Sequence, residues 1–176
     1  MGVLLVGGAS SRFGSPKALA RFRGETLADR AWRTLGDACD ERLAVGKGGE
    51  LKLPFDVLDD GYHGRAAIFG VIAGLRAARH ESVVFLPVDC PLVTPELLRA
   101  FGTWCAVPQT GPLPGAYDKG HVRALERRLV DGNLSLRGVN PNVLQVRDRL
   151  LLTNVNTPAE LLALEQDLAG RDEHPA

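Results

Sequence analysis

The chain has 176 residues, of which 45% are apolar and 24% are charged, and its formal net charge at pH 7 is zero. This length fits one globular domain with a buried core, and the lack of a basic excess argues against a dedicated nucleic-acid-binding protein. The three cysteines form no CxxC pair, no apolar run reaches the ~20 residues of a membrane-spanning helix, and no secretory signal opens the chain, so we expect reduced thiols in a cytoplasmic protein.

Short apolar runs alternate with helical patterns along the first half of the chain. The first run is a short, continuous apolar segment, which is typical of a buried strand. Leu27, Ala31 and Leu35 recur at helical spacing, and a glycine follows them, which predicts a helix that ends there. In order, the patterns predict a strand, a glycine-rich loop, a helix, two strands and a helix, at residues 2–6, 7–17, 26–36, 42–45, 55–58 and 66–79.

The same alternation continues through the second half. The run VVFLPV at residues 83–88 is apolar without alternation, as expected of a central strand that is covered on both faces. Thr94 with Pro95, and Thr157 with Pro158, are typical of the first residues of helices. After the central strand, the patterns predict a helix, a strand, two helices, two strands and a last helix, at residues 94–101, 104–107, 121–130, 135–139, 143–146, 150–153 and 157–168.

Together these elements predict an α/β fold, a single three-layer Rossmann-like domain with a mostly parallel sheet. We expect the domain to span residues 1–169 and residues 170–176 to form a frayed tail. In such sheets, ligands bind beyond the carboxyl ends of the strands. Candidate site residues therefore follow the predicted strands directly.

The first candidate is the glycine-rich loop at residues 7–17. Gly7 and Gly8 allow backbone N–H groups to come close to an anion, and Arg12 and Lys17 add two positive charges. The loop matches neither a Walker A motif nor a GxGxxG fingerprint. It predicts a triphosphate site, and the alternative is a plain connection between a strand and a helix.

The second candidate is Asp89, which directly follows the most apolar strand. A carboxylate at that position suits Mg²⁺, which prefers oxygen ligands and commonly shares them with substrate phosphates. The alternative is a helix cap or a loop carboxylate without a metal.

Two further polar segments follow predicted strands. Asp60, in the sequence Asp59-Asp60-Gly61, could accept hydrogen bonds from a base or a ribose, and Asn154 and Asn156 could reach phosphate or substrate. Ordinary turn chemistry is the alternative for both segments, and it is the favoured explanation for Asp59-Asp60-Gly61 when that segment is taken alone.

Three stretches carry a resemblance to a known family. They are LVGGASSRFGSPKAL at residues 5–19, VDCP at residues 88–91 and NVNTPAEL at residues 154–161. The first resembles the signature loop of sugar-nucleotidyltransferase-like proteins. Taken together, the three are most similar to the molybdenum cofactor guanylyltransferases, and the likeness extends from Val3 to about Leu168.

The resemblance implies a nucleotide-diphospho-sugar transferase type of fold and a specific reaction. GTP and molybdenum-bound molybdopterin would give the guanine dinucleotide cofactor and pyrophosphate, with Mg²⁺ as cofactor. The resemblance also implies transient contact with molybdoenzymes or cofactor-handling proteins, and no nucleic-acid or membrane partner. The alternatives are a related transferase that uses CTP or another phosphorylated acceptor, and an inactive nucleotide-binding module.

The same resemblance implies roles for individual residues. The catalytic residues would be Lys17, Arg12 and Asp89, with Asp89 at Mg²⁺. The pterin side would hold Asn154 and Asn156. The nucleotide would be bound by Leu5, Val6, Gly7, Gly8, Lys17, Asp60 and Asp89, with Asp60 near the guanosine.

The chain departs from the family pattern at three places. Pro16 stands where an aspartate often precedes the lysine. Gly46 stands where an asparagine tends to follow the second strand. Residues 66–70 read AAIFG where the family reads Gly-Pro-Leu-x-Gly. A guanine contact at Gly46 would therefore be absent or made by backbone.

Overall fold

A computed structural model of the chain describes residues 1–7, 13, 16–47 and 52–173. The β-strands are β1 (Gly2–Leu5), β2 (Arg21–Phe22), β3 (Glu25–Thr26), β4 (Arg42–Gly46), β5 (Val57–Asp59), β6 (Ser82–Pro87), β7 (Val107–Pro108), β8 (Gly115–Asp118) and β9 (Val143–Leu144). The α-helices are α1 (Leu27–Ala38), α2 (Ala67–Ala77), α3 (Pro95–Trp104), α4 (Val122–Val130) and α5 (Pro158–Glu173). Short 3₁₀ helices span Lys17–Leu19, Lys119–His121 and Arg149–Leu152.

The central sheet has five strands in the order β5-β4-β1-β6-β8. The first four are parallel, and β8 joins the edge of β6 in antiparallel orientation. Two small ribbons complete the strands, an antiparallel β2-β3 pair and a parallel β7-β9 pair. The predicted α/β fold with a mostly parallel sheet is confirmed.

Successive side chains of the central strands point into two separate apolar cores. On β1, Leu4 packs into the core with α1, α3 and α5, whereas Val3 packs into the core with α2 and α4. On β6, Leu86 and Phe85 divide in the same way. Because both faces of the sheet are covered, the central strands are apolar without alternation. The predicted three layers follow from this arrangement.

Side-chain caps fix the beginnings of two helices as predicted. The Thr94 hydroxyl accepts a hydrogen bond from the Leu97 N–H at 3.3 Å, with Pro95 in the first turn of α3. The Thr157 hydroxyl accepts from the Glu160 N–H at 3.1 Å at the start of α5. Both contacts satisfy N–H groups that have no partner within the helix.

Several predicted elements differ from the structure. No strand forms at residues 150–153. Residues 150–152 belong to a 3₁₀ helix that Thr153 follows, and the Asp148 carboxylate accepts from the Leu150 N–H at 3.0 Å and caps this helical turn. Residue 104 ends α3, so that only Val107 of the predicted strand 104–107 is in a strand. The three consecutive leucines at residues 150–152 have no hydrophobic period that would distinguish a strand from a helix.

Other differences concern the edges of the molecule. The sequence patterns did not indicate β2, β3 or β8, and residues 135–139 form turns rather than a short helix. Residues 170–173, assigned to the tail, continue α5, and residues 174–176 lie outside the described residues. Among the described residues, no helix combines the length and apolar character that a bilayer crossing requires.

Candidate active site

The carboxyl ends of β1 and β6 open into a cleft with a volume of about 460 Å³. The first residues of α2 and the segment that precedes α5 form its other walls. Six of the residues that the sequence nominated line this cleft, namely Leu5, Val6, Gly7, Lys17, Asp89 and Asn154. The strand ends therefore bring together residues that are far apart in the chain, as the rule for parallel sheets predicts.

The floor of the site depends on a close approach between two strand ends. A Cβ added to Gly46 would lie 2.8 Å from Val6 Cγ2 and 3.0 Å from the Gly7 nitrogen. A Cβ added to Gly7 would lie 3.0 Å from the Gly46 Cα. A side chain at Gly46 would displace the ends of β1 and β4, and Gly46 is not among the described residues that line the cleft.

Lys17 is the central cation of the cleft. Its Nζ lies 3.0 Å from Asp89 Oδ2 and 3.2 Å from Asn156 Oδ1. The side chains of Lys17 and Asp89 are 13% and 23% exposed, so the ion pair is partly shielded and still faces the cleft. A charge-assisted contact in such a shielded position is stronger than one on the open surface.

The asparagine segment is fastened to the same point. The Val155 N–H donates to the Asp89 carbonyl oxygen at 2.9 Å, and Asn156 Nδ2 donates to Asn154 Oδ1 at 3.3 Å. The Asn156 N–H donates to Glu160 Oε2 at 2.6 Å, which ties the segment to the first turn of α5. The structure thus places both asparagines beside Asp89, although Asn156 reaches the cleft through Lys17.

The oxygen donors at this point are of the kind that Mg²⁺ prefers. Asp89 supplies a carboxylate, and the exposed Asn154 supplies an amide oxygen on the same wall of the cleft. The described contacts of the Asp89 carboxylate are with Lys17 and with Cys90 Sγ, which lies 3.7 Å from Oδ1. One or two carboxylates together with substrate phosphates are sufficient for a protein Mg²⁺ site, so the donor set fits this ion.

Cys90 lies beside the carboxylate without a nucleophilic role. Burial, together with the negative charge of Asp89, raises the pKa of the Cys90 thiol well above its usual range. The thiol is therefore protonated at neutral pH, and a protonated thiol is a poor nucleophile.

Asp60 occupies a different environment from Asp89. Its side chain is only 4% exposed, and its Oδ1 lies 2.6 Å from Lys47 Nζ and accepts the Tyr62 N–H at 3.0 Å. Lys47 also donates to the Tyr62 carbonyl oxygen. Asp60 is not among the described residues that line the cleft, and neighbouring Asp59 accepts the Gly61 N–H in a turn.

Sequence reasoning missed some of the cleft and nominated residues that the structure does not describe. Arg65, Thr110 and Leu113 also line the cleft. The nearest signal was the basic residue just before α2, which lies next to the departure at residues 66–70. Gly8 and Arg12 lie outside the described residues, and their predicted contacts with phosphate stay predictions.

Comparison with known proteins gives a consistent result. The model of the family described as MobA-like NTP transferase domain matches residues 2–139. A relative from Chloroflexus aggregans named "Probable molybdenum cofactor guanylyltransferase" is 31% identical, over 91% of this chain and 90% of the relative. A relative of the same name from Deinococcus radiodurans is 32% identical, over 97% of this chain and 94% of the relative.

Solved structures are similar over almost the whole chain. Molybdopterin-guanine dinucleotide biosynthesis protein A from Archaeoglobus fulgidus has a TM-score of 0.75 at 22% identity, over 97% of this chain and 100% of that one. A protein of Aquifex aeolicus described as putative has a TM-score of 0.73 at 29% identity, over 89% of this chain and 92% of that one. The first likeness concerns the fold alone, because the identity is low.

Proposed function

The chain is a nucleotidyltransferase of the MobA-like NTP transferase family, and we propose that it transfers the GMP moiety of GTP to the phosphate of molybdenum-bound molybdopterin. The observation that carries this proposal is the junction of Lys17, Asp89 and Asn156 in the cleft at the carboxyl ends of β1 and β6. It joins the loop expected to hold the triphosphate to the segment expected on the pterin side.

The reaction requires little covalent help from the protein. An oxygen of the pterin phosphate forms a bond to the α-phosphorus of GTP, the bond from that phosphorus to the bridging oxygen of the β-phosphate breaks, and pyrophosphate leaves with the electron pair. The attacking phosphate is already anionic, so no side-chain base is needed. Positioning of two anions and compensation of their charge therefore account for the catalysis.

We assign the compensation of charge to Lys17 and Arg12. Lys17 lines the cleft at the carboxyl end of β1, and its Nζ would donate to the β- and γ-phosphates. Gly7 and Gly8 would contribute backbone N–H groups. A lysine acts here as a compact point charge with three donors. On GTP binding, Lys17 would exchange part of its contact with Asp89 for phosphate oxygens.

Asp89, with help from Asn154, would hold Mg²⁺ on the substrate phosphates. The ion supplies electrostatic stabilisation of the charge that develops on the phosphoryl oxygens. The Asp89 backbone keeps the carboxylate in place, because its carbonyl oxygen accepts the Val155 N–H. Asn154 and Asn156, which lie beside Asp89, would also contact the pterin phosphate.

Base recognition follows from the β4–β5 side of the site. Gly46 and the buried pair Lys47–Asp60 occupy this side, and the sequence resemblance places Asp60 near the guanosine. Because Oδ1 of Asp60 is engaged by Lys47 and Tyr62, we propose that Asp60 supports this wall rather than offering an unoccupied carboxylate. The engaged carboxylate is also the observation that keeps a CTP-dependent transferase as the second candidate.

A turnover assay tests the proposed function. The enzyme with Mg²⁺ and molybdenum-bound molybdopterin should release pyrophosphate with GTP and give a product whose mass equals that of the acceptor plus GMP. GTP should also raise the melting temperature more than CTP does at equal concentration, because a ligand at ~100 times its Kd adds about 2.7 kcal/mol of stability. Faster turnover and a larger shift with CTP would support the cytidylyl alternative, and binding without turnover would support an inactive module.

A further inference from the structure

A second group of chemistry-bearing side chains lies at the opposite end of the sheet from the cleft. Cys105, Asp118 and His121 bring one donor atom each to within 4.8 Å of the others. Asp118 pairs with Ser82, the first residue of β6, whereas Asp89 follows the other end of that strand. At ~3.3 Å per residue, the length of β6 separates the two places by roughly 17–20 Å.

The spacing of the three donor atoms is suitable for one metal ion. Cys105 Sγ lies 3.7 Å from Asp118 Oδ2, and His121 Nδ1 lies 2.8 Å from Asp118 Oδ1. Bonds of ~2.0–2.3 Å to a tetrahedral zinc ion place its ligand atoms roughly 3.3–3.8 Å apart. Because the donor atoms lie between 2.8 Å and at most 4.8 Å apart, binding an ion would require rotation of these side chains.

The backbone holds the three residues firmly in this arrangement. Cys105 directly follows α3 and has the left-handed conformation, with φ of 41°, where glycine or asparagine is usual. Asn140 is buried, and its Nδ2 donates both to the Cys105 carbonyl oxygen at 2.7 Å and to the Ala116 carbonyl oxygen at 2.8 Å. This amide therefore joins the end of α3 to β8, which carries Asp118.

The His121 imidazole lies against the backbone and the carboxylate of Asp118. Its Nδ1 accepts the Asp118 N–H at 3.2 Å, and a nitrogen that accepts carries no proton. Nδ1 and Asp118 Oδ1 then face each other as two electron-pair donors, 2.8 Å apart. The Asp118 carboxylate also accepts the His121 backbone N–H, and a metal ion would take the lone pair of Nδ1 in place of the Asp118 N–H.

We propose that Cys105, Asp118 and His121 bind one Zn²⁺ ion, with a fourth coordination position open to solvent. A sulfur, a nitrogen and an oxygen donor together favour zinc and disfavour Mg²⁺, which prefers oxygen alone. The Asp118 side chain is 38% exposed, so an ion has a path into the site. On binding, the Cys105 thiol releases its proton to solvent, and two negative ligands balance the charge of the ion.

Such an ion would connect three elements that otherwise meet at the sheet edge. Cys105 follows the last residue of α3, Asp118 ends β8, and His121 ends the 3₁₀ helix that leads into α4. The ion would stabilise the folded state at a distance from the cleft, and its loss would leave the residues of the cleft in place. This role differs from that of the Mg²⁺ expected at Asp89.

Cobalt substitution tests the proposal with a direct spectroscopic signal. Co²⁺ titrated into the intact protein, with excess Mg²⁺ to occupy oxygen sites, should bind one equivalent with a sulfur-to-cobalt charge-transfer band. Cys105→Ser should abolish the band, and both Cys105→Ser and His121→Ala should weaken Co²⁺ binding by more than about 100-fold. Cys39→Ser is the matched control, because Cys39 is also half-buried and lies outside the cluster, and it should change nothing.

A second measurement keeps the test decisive if a variant fails to fold. In the unaltered protein, one equivalent of Zn²⁺ should slow the alkylation of Cys105 by iodoacetamide at least tenfold, with no effect on Cys39, as measured by peptide mass spectrometry. The absence of a charge-transfer band, equal protection of both cysteines, or a band that persists in Cys105→Ser and disappears in Cys90→Ser would overturn the proposal. In those cases His121 and Asp118 act only as a helix cap.

Discussion

Two lysine–aspartate pairs stand at the carboxyl edge of the same sheet and have different surroundings. The Lys17–Asp89 pair connects the segment that follows β1 with the segment that follows β6, and both side chains line the cleft. Lys47–Asp60 lies behind the ends of β4 and β5, and its side chains are 12% and 4% exposed. The first pair lines the cleft in which we propose that the substrates bind, whereas the second pair is enclosed by its own turn.

The difference shows why a carboxylate at a strand end is not sufficient evidence for a functional site. The Oδ1 atom of Asp60 accepts hydrogen bonds from Lys47 Nζ and from the Tyr62 N–H, and the second bond closes a turn. The described side-chain contacts of Asp89 are with Lys17 and Cys90, and Asp89 lines the cleft. Asp60 and Asp89 occupy equivalent positions in the fold, because each follows a strand of the same sheet. Only the hydrogen-bond donors around each carboxylate distinguish the one that lines the cleft from the one that closes a turn.

Asp89→Asn should produce the largest effect. The asparagine keeps the shape and the backbone contact to Val155 but removes the charge expected to hold Mg²⁺. A metal supplies several kcal/mol of transition-state stabilisation, and ~1.4 kcal/mol is a factor of ten in rate, so turnover should fall roughly a thousandfold. Pyrophosphate release at saturating GTP and Mg²⁺ measures it, and circular dichroism should show an unchanged fold.

A small effect of Asp89→Asn would mean that Asp89, like Asp60, has only a structural role. If Asp89 were only a cap or turn residue, asparagine would be an equally good substitute. Turnover within about tenfold of the parent enzyme would therefore contradict the proposed role of Asp89.

Asp60→Ala should act mainly on stability. It leaves the shielded Lys47 ammonium without its carboxylate and the Tyr62 N–H without its acceptor. Loss of one partner of a buried ion pair costs about 3 kcal/mol or more, which urea unfolding measures. Turnover of the folded fraction should stay within tenfold of the parent enzyme, and a large rise in the KM for GTP at unchanged stability would show direct contact with the nucleotide instead.

Lys17→Ala should weaken GTP binding and leave the fold intact. Loss of one charge-assisted contact in a shielded site costs on the order of 1.5–3 kcal/mol, or roughly a 10- to 150-fold rise in Kd. Titration calorimetry with GTP and Mg²⁺ measures this change. Lys52→Ala removes an exposed lysine and serves as the control, and an equal effect in both variants would mean that Lys17 contributes only bulk charge.

The sequence was sufficient to predict the strand ends and the main residues of the cleft. Glycines after a buried strand, and a carboxylate after the most apolar strand, follow simple rules of parallel sheets. These rules located Gly7, Lys17 and Asp89 at one edge, and the cleft confirms that they share it.

What the sequence did not reveal depends on contacts between distant segments. The partner of Asp60 is Lys47, which no spacing rule connects to it, and the enclosure of this pair depends on how the Tyr62 turn folds back. The edge strand β8 was missed because its four residues carry no distinctive period. The role of Asn156 likewise appears only when Lys17 is placed beside it.

A third charged cluster completes the comparison at the surface and should give the smallest effect. The Glu25 carboxylate lies 2.9 Å from Arg30 Nη1 and 2.6 Å from Arg33 Nη2, and Arg30 Nε donates to the Pro91 carbonyl oxygen at 2.6 Å, next to the Asp89 loop. Slight burial raises the pKa of Glu25, but the hydrogen bonds and charges of the two arginines outweigh it, so that the net pKa is lowered. A lowered pKa contributes stability above the unfolded value of ~4.3, and this contribution is lost as the pH falls through the folded value.

Glu25→Gln should therefore cost less than about 1 kcal/mol at pH 7, because water screens partly exposed ion pairs. The difference in stability between parent and variant should shrink as the pH falls below ~4.3. Urea unfolding at pH 7 and in acid measures both values. If the loss at pH 7 equalled that of Asp60→Ala, burial would not be what separates the three clusters, and the link from Arg30 to the Asp89 loop would be the better explanation.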